Sequence, residues 1–281
     1  VTAVVRALKD DGVELHGLEG VIASEVPAGS GLSSSAALEV SVAQALVAEQ
    51  LDELRLARIC RRAENHYVGV PSGIMDQLSS VAARAGHALL IDCRDESVEH
   101  IPVAEELAVI VVDSGVHREL AEAGYKRRQQ ECRAAAEALG VPSLREAHTP
   151  DLARLDGVLL ERARHILTEN ERVRAAAQAL KDSDLQTLSG LFAQSHASMA
   201  QDFAMSTPEI DTLVTIAGDT PGVVAARLTG GGFGGCTVNL VRRDAAHEAA
   251  GSILSLYTDK TGRTGRAWTT RPADGAGPAA C

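Results

Sequence analysis

Three stretches of this 281-residue chain hold residues whose types and spacing could do chemistry. The first is Pro27-Ala28-Gly29-Ser30-Gly31-Leu32-Ser33-Ser34-Ser35, set between an apolar segment ending at Ser24 and a helical pattern that starts at Ala36. Glycines let a backbone turn tightly so that several N–H groups converge, and the N-terminus of the following helix adds positive partial charge, an arrangement that holds phosphate. Three consecutive serines add hydroxyls that can donate to phosphate oxygens or ligate Mg²⁺. No Gly-Lys-Ser/Thr follows, so this is not a Walker A loop, and Ser34 stands where a dinucleotide fingerprint needs its third glycine. The plain alternative is a loop whose serines cap the helix.

In the second stretch, Glu64, Asn65, His66, Asp76 and Gln77 bracket the turn Gly69-Val70-Pro71-Ser72-Gly73. A carboxylate at a helix start can act as a general base, and a second one twelve residues earlier could hold a cation. The alternative makes Glu64 a solvated helix residue and Asp76 a surface charge that favours the helix dipole. The third stretch, Thr229-Gly230-Gly231-Gly232-Phe233-Gly234-Gly235, formally contains GxGxxG. Cys236-Thr237-Val238-Asn239-Leu240-Val241 then reads as a strand, which excludes a Rossmann turn. A flexible hairpin, or a backbone that must approach a ligand closely, remains open.

The elements that would position these stretches follow from periodicity. Val1, Val4, Val5 and Leu8 repeat at helical spacing up to Gly12, and Val13 to Ser24 reads as one or two strands, the second being Val21–Ser24. Ala36 to Val47 predicts a helix, and Asp52 caps another running to about His66. A short helix from about Ile74 to Arg84 and a hairpin of 88–92 with 98–102 come next. Leu107–Asp113 is a continuous apolar run that suits a buried strand. Helices are expected at 120–139, 159–180 and 185–203, strands at 223–228 and 237–241, and a last strand around Ala267 before a loose end.

The length gives a prior of about two domains. Composition, at 45% hydrophobic and 23% charged, is that of a globular protein. A net charge of −11 argues against a general nucleic-acid or anionic-membrane binder. No apolar run approaches the roughly 18 residues of a membrane span, and Lys9, Asp10 and Asp11 break up the opening, so neither a span nor a signal peptide is expected. Cys60, Cys93, Cys132, Cys236 and Cys281 form no CxxC pair, which points to incidental thiols in a reducing, cytoplasmic compartment.

Taken together, the three stretches resemble the GHMP small-molecule kinases, and within that family the branch that phosphorylates galactose. Pro27 to Glu39 looks like the family's ATP-binding second motif. Gly73-Ile74-Met75-Asp76-Gln77, preceded by Glu64-Asn65-His66, is similar to the segment that carries the catalytic aspartate. Asp113-Ser114-Gly115 with His117, Tyr125 and Arg127-Arg128 follows the pattern at the start of the second domain, and Leu228 to Cys236 resembles the third motif. The resemblance implies an α+β, two-domain GHMP kinase fold. A truncated ribosomal S5 domain 2-like domain would occupy residues 1–105, and a ferredoxin-like α/β sandwich 106–281.

It further implies phosphoryl transfer from ATP to the anomeric hydroxyl of galactose. Gly29, Ser30, Gly31, Leu32, Ser33, Ser34 and Ser35 would cradle the triphosphate, and Ser35 and Glu64 would hold Mg²⁺. Asp76 would be the base, and Gly73, Asp76 and Tyr125 would touch the sugar. Gly230, Gly231, Gly232 and Gly234 would back the phosphate loop. ATP, Mg²⁺ and a small sugar are the expected partners, with no nucleic acid and no membrane. The family also carries, nearer its N-terminus, an arginine followed by Gly-Glu-His-x-Asp-Tyr, which supplies a transition-state arginine and sugar contacts. No such run occurs in these residues, so on the order of 90 residues are expected to be missing ahead of Val1. A sibling kinase acting on N-acetylgalactosamine or arabinose, and a non-catalytic ATP- and sugar-binding remnant, are the alternatives.

Overall fold

The computed structural model describes residues 1–27, 31–70, 72–116 and 121–277. The chain runs α1 (Thr2–Asp10), α2 (Ser34–Leu46), α3 (Glu53–Arg62), α4 (Met75–Ala82), β1 (His87–Asp92), β2 (Ser97–Pro102) and β3 (Leu107–Asp113). It continues through α5 (Ala121–Leu139), α6 (Gly157–Lys181), α7 (Leu185–Gln201), α8 (Pro208–Asp219), β4 (Val223–Leu228), β5 (Cys236–Arg242), α9 (Ala246–Thr261) and β6 (Arg266–Thr270). Two compact units result: residues 1–27, Leu32–Val103 and 272–277 build one, and Gly31 with Ala104–Arg271 build the other. Among the described residues no helix is long and apolar enough to cross a membrane.

In the first unit, Val4 and Leu8 of α1, Val40 and Ala43 of α2, Leu56 and Ile59 of α3, and Leu78 and Val81 of α4 converge on one core. The antiparallel pair β1–β2 packs Leu89, Ile91 and Val98 against it. Asp52 caps α3 as expected, accepting the Arg55 N–H at 3.0 Å. The one or two strands expected over residues 13–24 do not form. Among the described residues the strand pairing of this stretch is a single antiparallel bridge, Leu15 with Val47, and Val21 lies 96% exposed. A strand needs a ladder of partners for its backbone groups, and the described chain offers this segment one bridge. The expected loose end is also replaced by structure. Gly275 donates to the Ala83 carbonyl at 2.8 Å and Ala276 to Ser80 at 2.7 Å, and a Cβ on Gly275 would lie 2.2 Å from the Val81 carbonyl oxygen.

In the second unit, an antiparallel sheet has the order β4-β5-β3-β6, the βαββαβ arrangement expected of a ferredoxin-like sandwich. Successive residues of β3 point to opposite faces: Ile110 and Val112 meet Leu213 and Ile216 of α8 and Ile253 and Tyr257 of α9, while Val109 joins Leu188 of α7. The sequence reading passed over α8 and α9. Their signals are local all the same. Thr207 caps Pro208 at the first position of α8, and Gly262 ends α9 at φ +68.

Because α3 carries the chain into Glu64, its start bears on the site. Asp52→Ala is expected to lower stability by about 1 kcal/mol in urea unfolding; no change would show that the cap contributes nothing.

Candidate active site

Residues 28–30, and with them Gly29 and Ser30, lie outside the described residues, as does His117. From Gly31, at φ +82, the chain enters α2 through Ser33, a non-glycine residue in the left-handed region at φ +56. Ser33 is the N-cap, yet its hydroxyl makes no capping bond, so the simple helix-capping role for this serine does not hold. A helix start leaves its first N–H groups without intrahelical partners, which suits an anion. One hydroxyl beyond it, Ser35 Oγ, is committed elsewhere, donating to Glu64 Oε1 at 2.9 Å.

Glu64 is 7% exposed, a buried carboxylate and not the solvated helix residue of the plain alternative. It sits where α3 widens into a π-helical segment, Ala63–Val68, a local geometry frequent at functional sites. The turn behind it is clipped shut by Asn65, whose Nδ2 donates to the Ser72 carbonyl at 3.1 Å while its Oδ1 accepts the Ser72 N–H at 2.9 Å. That clip brings the Ser72 hydroxyl onto Glu64 Oε2. Gln77 Nε2 donates to the same oxygen at 2.9 Å and to Glu39 Oε2 at 3.1 Å.

Glu39 stands one helical turn after Ser35, on the face of α2 that buries Ala36, Val40 and Ala43. Its carboxyl is raised to about 7, chiefly by burial and also by the charges of Glu64 and Asp76, against the lowering effect of the bond from Gln77. Asp76 lies half-buried in the first turn of α4, directly before Gln77, and Gly73 is exposed just ahead of it. Sequence reasoning missed Glu39 and Ser72 as site residues. A carboxylate on an otherwise apolar helix stripe was a usable signal for Glu39; nothing local marks Ser72. Among the described residues no group of three or more His, Cys, Asp or Glu side chains gathers as a metal cage. A neighbouring hydroxyl and carboxylate nevertheless fit Mg²⁺, which takes one or two protein ligands and completes its shell with phosphates and water.

In the second unit, the glycines after β4 answer to close backbone packing. A Cβ on Gly232 (φ +72) would sit 2.4 Å from the Met205 carbonyl oxygen, and one on Gly234 (φ +108) 2.8 Å from that of Val116. Phe233, at φ +59, donates its N–H to the same Met205 oxygen at 2.7 Å. Gly230 adopts φ +72, whereas a Cβ on Gly231 would meet only Tyr125, at 3.9 Å. Tyr125 is 45% exposed on the first turns of α5. Arg127 and Arg128 are engaged by Glu131 at 2.8 and 2.6 Å. Asp113 Oδ1 accepts the Gly115 N–H at 3.0 Å, and Ser114 Oγ donates to the Gly235 carbonyl at 2.8 Å.

Comparison with known proteins places these features in a family. Residues 1–84 match the GHMP kinases N terminal domain, and residues 176–258 the GHMP kinases C terminal domain. The chain is 45% identical to a galactokinase of Roseiflexus sp. (strain RS-1), over 99% of this chain and 74% of that protein. It is 42% identical to a galactokinase of Chloroflexus aggregans, over 94% of this chain and 71% of the relative. The crystal structure of Lactococcus lactis galactokinase complexed with galactose superposes with a TM-score of 0.88 at 29% identity, covering 97% of this chain and 74% of that one. The chain thus spans about three-quarters of the length of these relatives.

Glu39 and Gly232 give two tests. The native state holds on Glu39 a proton that an unfolded chain releases near pH 4.5, so this group lowers stability progressively as pH rises from 4.5 to about 7. Glu39→Gln should therefore gain stability relative to the parent across that window in pH-dependent urea melts; a difference independent of pH would refute it. Gly232→Ala should cost about 1–3 kcal/mol, since both its φ and the Met205 carbonyl oppose a Cβ, while Gly231→Ala should fall within about 0.5 kcal/mol of the parent. Equal costs in chemical unfolding would contradict this account of the loop.

Proposed function

Because the chain belongs to the galactokinases of the GHMP kinase family, we propose that it transfers the terminal phosphoryl group of ATP to the anomeric hydroxyl of galactose, with the residues around Glu64 carrying the phosphate chemistry. The observation that supports this most directly is the 2.9 Å bond from Ser35 to the buried Glu64, made at the helix start that follows the Gly/Ser loop. It pairs a hydroxyl and a carboxylate where a cation and a triphosphate would meet. In this reading the family's N-terminal domain, residues 1–105, supplies that site, and its C-terminal domain, 106–281 apart from the stretch 272–277 that packs in the first unit, supplies the glycine loop.

Residues 29–35 bind the triphosphate through backbone N–H groups and serine hydroxyls, and Ser35 and Glu64 hold Mg²⁺. Bound there, Mg²⁺ neutralises charge on the phosphate oxygens. Asp76 accepts a hydrogen bond from the sugar hydroxyl, orients it, and takes its proton as the new oxygen–phosphorus bond forms and the bond from that phosphorus to the β-phosphate bridging oxygen breaks. Gly73 and Tyr125 contact the sugar, and Gly230, Gly231, Gly232 and Gly234 support the phosphate loop. No covalent intermediate is needed, since positioning and charge stabilisation supply the catalysis. The reaction belongs to the cytoplasm, where ATP is held.

The test is ADP release with Mg²⁺ and a panel of galactose, N-acetylgalactosamine and arabinose. Galactose should give the fastest release, and Asp76→Asn should lower kcat by about a hundredfold or more while ATP affinity stays close to that of the parent. A faster rate with another sugar would reassign the substrate. Nucleotide binding with no ADP release would favour a non-catalytic protein, and near-parental turnover in Asp76→Asn would remove the aspartate from the mechanism.

A further inference from the structure

Gln77 is fully buried, and its carboxamide is used unevenly. The NH₂ group donates one hydrogen to Glu64 Oε2 at 2.9 Å and one to Glu39 Oε2 at 3.1 Å. Its carbonyl oxygen, equally buried, has no partner among the described residues. An unmet buried acceptor is costly, so the amide is held for what its nitrogen does. Turning the group over would set its oxygen against the Oε2 atoms of Glu64 and Glu39, taking from Glu39 Oε2 its donor and leaving Glu64 Oε2 with Ser72 alone. The two acids therefore dictate the orientation of the amide, and the amide in turn screens them from each other.

The consequence falls on Glu64. An ionised carboxylate oxygen has about two acceptor sites. Oε2 spends both, on the Ser72 hydroxyl and on Gln77. Oε1 accepts from Ser35 alone among the described residues and keeps capacity on the side where the Gly/Ser loop enters α2. The two oxygens are thereby sorted into one that is anchored and one that is available.

We propose that Gln77, anchored on Glu39, is a positioning residue for the cation-holding carboxylate: it fixes Glu64 by Oε2 so that Oε1 stays beside Ser35 for Mg²⁺. The proposal rests on the reading of Glu64 as a magnesium ligand. Side chains that orient a ligand in this way commonly shift metal affinity by about 10–100-fold when removed.

The experiment measures binding of the imidodiphosphate analogue of ATP by calorimetry, without metal and across a Mg²⁺ titration, for the parent, Gln77→Met, Glu39→Met and Glu64→Gln. Gln77→Met should raise the Mg²⁺ concentration that half-maximally tightens nucleotide binding by about tenfold or more, and leave the metal-free affinity within about twofold. Glu39→Met, which frees the amide from its anchor, should shift it in the same direction by a smaller factor. Glu64→Gln should abolish the Mg²⁺ response. If Glu64→Gln abolishes it and Gln77→Met leaves it unchanged, or weakens the metal-free and metal-loaded complexes alike, the positioning role is wrong while the ligand reading stands. If Glu64→Gln keeps a parental Mg²⁺ response, both fall. Should circular dichroism show that Gln77→Met does not fold, the Mg²⁺ shift of Glu39→Met decides the matter by the same criterion.

Discussion

A carboxylate taken almost wholly out of water must have its charge answered by nearby donors, and in the first unit that demand is concentrated on Glu64. Ser35 answers from the head of α2, Ser72 from the turn after the π-helical segment, and Gln77 from α4. Three separate pieces of chain are thus tied to one side chain. Each bond to an ionised acceptor is stronger than its neutral counterpart, and losing a donor leaves buried charge under-solvated. The apolar core of α1 to α4 sets the distances between helices; the bonds to Glu64 set where their ends point.

Backbone proximity plays the corresponding part elsewhere. Gly275 lies against the carbonyl of Val81, and Gly232 against that of Met205, at separations that no side chain allows. The glycine-rich run after β4 therefore has a structural reason within its own unit, whatever ligand it meets. Its two flanking strands are held in register by the β4–β5 ladder, and β5 is held by β3. With both ends pinned in this way, the run behaves as a shaped part of the sheet's edge.

Charge has a structural role in the second unit. Glu131 is half-enclosed by arginines: burial raises its carboxyl, and the bonds from Arg162, Arg127 and Arg128 outweigh that effect and take it down to about 2. Arg128 also reaches the Ala204 carbonyl at 3.0 Å, so a residue of the motif at the start of α5 ties that helix to the chain after α7. Glu169 repeats the pattern, accepting from Arg172, Arg227 and Ser195. These are packing devices built from ions, held together by hydrogen bonds and costly to break singly.

Local pattern was sufficient wherever a rule acts within a few residues. The helices from α1 to α7, the hairpin β1–β2, the strands β3 to β6 and the Asp52 cap all follow from apolar spacing and capping chemistry. The motifs around Ser35, Glu64 and Asp76, read in order along the chain, carried the family. The same local logic failed where the deciding partner is remote. Residues 13–24 have strand-like composition, but a strand exists only through its neighbours, and among the described residues its strand pairing stops at one bridge, Leu15 with Val47. The polar tail looked loose because the groups that hold it, Ser80 and Ala83, are about 190 residues away in sequence. Spacing marks Glu39 only as an acid on an apolar stripe and does not mark Ser72 at all, because what makes them part of the site is one buried carboxamide and one clipped turn. Periodicity reports which face of an element is buried. Which polar groups then share that burial, and so must satisfy one another, is decided only when the elements are packed.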